Sequence, residues 1–168
     1  MHGYGNSYGP VEPGGLRDRA RRYALVPLRI FLGVTFVYAG IDKLTDSAFL
    51  SATGPGSLGD LMRVVRDTSA VPALVDLALK SPEGFGYALA CGEIVVGLGT
   101  LVGLWARLAA LGGALISLSL WLTVSWRTEP YYYGNDLVYL MAWLPLLLAG
   151  AAEFSADAFL ASRRRRSR

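Results

Sequence analysis

Glu93 is the residue with the clearest chemical potential, because its surroundings in the chain are otherwise apolar. It stands near the middle of "GFGYALACGEIVVGLGTLVGL", residues 84–104. A stretch of that length spans a bilayer, which takes roughly 20 apolar residues as a helix. A charge at that depth costs about 2.5–3.5 kcal/mol on insertion scales, so such a group faces a protein interior or a polar cavity. A carboxyl held there can take up and release protons. Lys43 and Asp42 close the first apolar stretch, Asp136 opens the last, and Arg127 lies in the loop before it. Together they offer cations to hold an anion and carboxylates to shape the field. Trp121, Trp126 and Trp143 supply flat apolar surfaces suited to a quinone, although aromatics at helical spacing also serve as packing.

The remaining chemistry is bounded by what is scarce. The chain holds one cysteine, Cys91, and one histidine, His2. No internal disulfide, no CxxC pair and no His/Cys metal cluster can form, so no metal site is predicted. Electron transfer therefore needs a bound quinone or a partner's cofactor.

Four elements must position these residues. Of the 168 residues, 53% are hydrophobic and 17% charged, against roughly 25% charged in soluble domains. The apolar residues fall in blocks at 25–44, 84–104, 108–124 and 137–154, predicting an all-α integral membrane four-helix bundle. Arg29, Gly33, Phe36, Gly40 and Lys43 form a stripe at helical spacing on the first, with Arg29 free to snorkel to the interface. Gly86, Ala90, Glu93, Gly97 and Thr100 form one on the second, where small residues admit close helix neighbours. Pro145 predicts a kink in the fourth.

The long connection, residues 45–83, carries two short amphipathic helices. Leu58, Leu61, Met62 and Val65 share a face in the first. Pro72 opens the second, with Leu74, Val75, Ala78 and Leu79 apolar. Ser81, Pro82 and Glu83 make a helix start, with Ser81 as a candidate N-cap.

Charge sets the orientation. Arg17, Arg19, Arg21 and Arg22 precede the first block, Arg107 sits in the turn before the third, and arginines fill 163–166. By the positive-inside rule these are topology signals rather than a nucleic-acid tail. They place both termini in the cytoplasm, with 1–22 a disordered basic tail, 23–160 the transmembrane domain and 161–168 a second basic tail. Asp42, Lys43, Glu93 and Asp136 then gather in the outer half. Side chains lean toward their helix N-terminus, so Lys43 and Glu93 lean toward each other. Trp121, Trp126 and Tyr131–Tyr133 suit the aromatic belt of an interface.

The stretches "LRIFLGVTFVYAGIDKL", "GEIVVGLGTLVGLWARLAALGG" and "YYYGNDLVYLMAWLPLLLAGAAEFSADA", in this order and ending on Ser155 and Asp157, resemble the DoxX/DoxD family of bacterial and archaeal membrane proteins. The resemblance covers residues 25–158. The long first loop and "PYYYGND" look most like the DoxD branch, associated with thiosulfate:quinone oxidoreductase. It implies a redox subunit set in the lipid bilayer, thiosulfate as donor, quinone as acceptor and a small DoxA-like or other redox partner. The residues leave two other functions open, a non-catalytic scaffold recruiting a redox partner and a small-solute carrier using the same carboxyl as a gate.

Overall fold

The structure is a computed structural model that describes residue 20 and residues 23–150. The arginines at 17, 19, 21, 22 and 163–166, the two tails, Ser155, Asp157 and the end of the fourth block lie outside the described residues. Six α-helices carry the described chain: α1 (Val26–Thr45), α2 (Leu58–Val65), α3 (Pro72–Leu79), α4 (Pro82–Val102), α5 (Ala106–Thr123) and α6 (Asn135–Ala149). A 3₁₀ turn, Tyr131–Tyr133, precedes α6, and no strand occurs among the described residues. Two of these helices, α4 and α5, are long and apolar enough to cross a membrane.

Helix boundaries follow local chemistry. Pro27 stands in the first turn of α1, Pro72 in that of α3 and Pro82 in that of α4, where a missing N–H costs nothing. Ser57 caps α2 by accepting from the Asp60 amide. Ser81 occupies the N-cap position but makes no such bond, so its side chain does not cap, and Pro82 and Glu83 in the first turn start α4. Gly103 ends α4 at φ 67°, a left-handed conformation that favours glycine. Arg107 falls in the first turn of α5, not in a loop.

Helix α1 packs along α4, α4 against α5, and α5 against α6, while α6 also touches α1. Glycines set how closely. A Cβ on Gly40 would stand 2.5 Å from the Ala90 carbonyl oxygen, and one on Gly97 would stand 2.7 Å from that of Gly33. Only hydrogen fits at these crossings, so van der Waals contact runs backbone to backbone. The core between the long helices joins Leu32 and Phe36 to Val96, Ala110, Ala114, Trp143 and Leu146. Arg29 is buried rather than extended to solvent, because it shares the packed face of α1 with Leu32, Gly33 and Phe36.

Helices α2 and α3 form a hairpin with its own core of Leu58, Met62, Val65, Val75 and Ala78. Arg66 fastens the two, its Nε 2.5 Å and Nη2 3.2 Å from the Asp76 carboxylate oxygens. Asp60 accepts from the Gly54 amide and from Arg63. The hairpin is attached to the end of α5, where the Leu122 carbonyl accepts from the Ala70 amide and the Ser69 hydroxyl. Such helix-end carbonyls have no intrahelical donor. Leu61 and Leu74 stay partly exposed, as do Val64 and Leu77 on the outward side.

Candidate functional site

Lys43 and Glu93 meet. The Lys43 ammonium donates to Glu93 Oε1 at 3.0 Å and lies 2.9 Å from Oε2. It also reaches back 3.4 Å toward the Ala39 carbonyl, one turn nearer the start of α1. That is the direction in which helical side chains lean. The Glu93 side chain is 5% exposed and that of Lys43 22%. The two Glu93 oxygens are not equivalent. Oε2 shares the charge of Lys43 but receives no hydrogen bond from any described residue.

Lys43 also lines a second environment. A cavity of about 290 Å³ lies beneath the hairpin, with Leu58, Leu61, Met62, Leu74 and Ala78 as its roof. Phe49, Phe85, Leu89, Leu120 and Val124 supply further apolar wall, and its polar groups come from Lys43, Ser119, Thr123 and Asp136. Ser119 and Thr123 spend their hydroxyl protons on the Ile116 and Ser119 carbonyls of their own helix. Asp136 accepts a hydrogen bond from the Ser125 hydroxyl. What remains for an occupant is an apolar chamber with one lysine and one aspartate among its lining residues. Glu93 lies behind Lys43 and is not among the lining residues.

Other residues with chemical potential are placed elsewhere. Asp42 and Arg127 are exposed and do not line the cavity. Trp143 is fully buried, edge-on to Phe36 at 4.9 Å and against Gly113. Trp121 and Trp126 pack edge to face at 5.3 Å. None of the three tryptophans lines the chamber. Tyr131, Tyr132 and Tyr133 are exposed and pack edge to face in sequence. Sequence reasoning passed over Phe49, Phe85 and Ser125. The aromatics sit in a loop and at a helix start without periodicity to mark them, and Ser125 gains meaning only once α6 brings Asp136 beside it.

Two helices long and apolar enough to cross a membrane stand with a buried acid–base pair and an apolar chamber, the features of a helical membrane protein with a polar site in its interior. The DoxX family model matches residues 24–126, which is most of the described chain. The protein belongs to the DoxX family. No curated protein and no solved structure matches the chain.

Proposed function

We propose that the protein is the membrane subunit of a quinone-linked oxidoreductase of the DoxD type. Helices α1, α4, α5 and α6 cross the bilayer as a four-helix bundle, both termini are cytoplasmic, and the hairpin lies on the outer side. The observation that carries this reading is the chamber: partly enclosed, apolar on most of its wall, with Lys43 at one place in it. Its volume suits a quinone head group, small ligand sites starting at roughly 300 Å³. A quinone supplies acceptance of two electrons and two protons there. Lys43 would donate a hydrogen bond to a carbonyl oxygen. Glu93 fixes the ammonium and exchanges protons with the chamber by way of it. Asp136, held by Ser125, would orient the second polar edge.

The charges argue about the donor as well. Within the site one ammonium is opposed by two carboxylates, so an anion such as thiosulfate gains little by entering. Arg127, exposed before the tyrosines, is the better place to attract it, with Asp42 tuning the field on the same side. Electrons then reach the quinone through a small DoxA-like or other redox partner. A second reading, a non-catalytic scaffold for such a partner, draws on the outward apolar residues Val64 and Leu77, 76% and 54% exposed.

The test is reduction of a quinone analogue by thiosulfate with the purified protein in lipid discs, alone and with copurifying proteins, together with analysis of bound lipid extract. Quinone in the extract and its thiosulfate-dependent reduction support the enzyme. A partner that reduces the analogue equally well without this chain leaves the scaffold. Absence of both bound quinone and analogue binding overturns the reading.

A further inference from the structure

In the helical core Thr100 Oγ1, Ser117 Oγ and Trp143 Nε1 have no hydrogen-bond partner among the described residues, and Glu93 Oε2 has none beyond its 2.9 Å ion-pair contact with the Lys43 ammonium. Thr100 lies about two turns from Glu93 along α4; Glu93, Ser117 and Trp143 are more than nine-tenths buried, at 3%, 1% and 0% exposure. Ser117 is unusual within its own helix. Ser119 and Thr123 donate to carbonyls one turn back, as hydroxyls in apolar helices do. Ser117 donates to no described residue.

The packing register puts Glu93, Ser117 and Trp143 at related depths. A Cβ on Gly92 would meet Ile116 Cδ1 at 3.7 Å, and one on Gly112 would meet Val96 Cγ2 at 2.8 Å. Antiparallel α4 and α5 are therefore level at Gly92 and Ile116. Glu93 and Ser117, the next residue in each case, differ by about 3 Å of axial rise. The Trp143 indole lies against Gly113, one turn from Ser117 on α5. The set is chemically complementary. An indole N–H only donates, a carboxylate only accepts, and a hydroxyl does both. A buried polar group left unpaired is destabilising, and the orphaned hydroxyl and indole lie about one turn apart along α5, at the depth of Glu93.

We infer that this layer is a binding site for ordered water, in which Ser117 and Trp143 hold water that donates to Glu93 Oε2. Buried waters commonly make about three such bonds. The water gives Glu93 a second exchange partner on the side away from the chamber. Ser117 acts here as a positioning residue. The site requires only the geometry of the core and stands apart from the redox reading: a protein that reduces no quinone still holds the water.

Infrared difference spectroscopy on the full-length protein in lipid discs tests it, comparing H₂¹⁶O with H₂¹⁸O. An enclosed water O–H band that shifts with the oxygen isotope is expected. It should vanish in Glu93→Gln and Ser117→Ala and return in Ser117→Thr, which restores the hydroxyl. The Glu93 carboxylate band, assigned by its loss in Glu93→Gln, should shift in Ser117→Ala. Trp143→Phe supplies a second variant that leaves Glu93 and Ser117 intact and should weaken the same band. No isotope-sensitive band, or one unchanged in folded Ser117→Ala, overturns the inference.

Discussion

Lys43 stands between Glu93 and the chamber: it touches both carboxylate oxygens at 3.0 and 2.9 Å and itself lines the cavity, whereas Glu93 does not. Whatever occupies the chamber meets Lys43 and not Glu93. The carboxyl acts through its neighbour.

This arrangement predicts a double-mutant pattern. Removing one partner of a buried pair leaves an uncompensated charge, costing about 3–5 kcal/mol. Lys43 is partly exposed and Glu93 is not, so the charge that Glu93→Gln leaves on Lys43 falls toward the lower end and the charge that Lys43→Met leaves on Glu93 toward the upper. Glu93→Gln and Lys43→Met should each lower the unfolding midpoint in detergent, and the double variant should recover much of the loss. Additive losses would show that the pair is not coupled. Activity divides the roles: a stable, fully active Glu93→Gln protein removes Glu93 from proton exchange.

Filling the chamber should separate ligand binding from stability of the pair. Ala78 is buried in the roof, away from the Lys43–Glu93 contact. Ala78→Phe should abolish binding of a quinone analogue, measured by equilibrium binding, at a packing cost of about 1–3 kcal/mol. Retained binding in the folded variant would place the ligand elsewhere.

The glycine crossings set the distance between α1 and α4. Gly40→Leu drives a side chain into the Ala90 carbonyl and Ile94, where even a Cβ stands 2.5 and 2.6 Å away. The helices must part, which draws Lys43 off Glu93. Thermal unfolding should fall by more than for Gly92→Ala, whose Cβ meets Ile116 at an ordinary 3.7 Å. Equal effects would mean the crossing is not tight.

The hairpin carries a pH dependence. The hydrogen bond from Arg66 is the chief cause holding the Asp76 carboxyl below its usual value. A depressed carboxylate contributes stability that is present above its unfolded value and lost as pH falls through the folded one. Amide protection in α2 and α3, taken relative to the intrinsic exchange rate at each pH, should therefore fall on acidification through and below the ordinary carboxylate range. Asp76→Asn should exchange faster at neutral pH and lose most of that dependence. The effect is local and modest, since the pair is exposed and screened.

The sequence by itself determined the helices and their inward faces. Apolar length, the proline starts and the three-or-four spacing of Gly33, Phe36, Gly40 and of Ala90, Glu93, Gly97 are local properties, set by 3.6 residues per turn. The lean of long side chains is local too, which is why the approach of Lys43 to Glu93 was legible across 50 residues. The chamber was not legible. It needs α2 and α3 to fold over the end of α5, and that depends on the Leu122 carbonyl meeting Ser69 and Ala70. For the same reason Trp143 reads as a candidate ligand surface but packs on Gly113, and Asp136 finds Ser125 only when α6 returns. Helical period fixes which face a residue occupies; which neighbour fills that face is decided by packing between segments far apart in the chain.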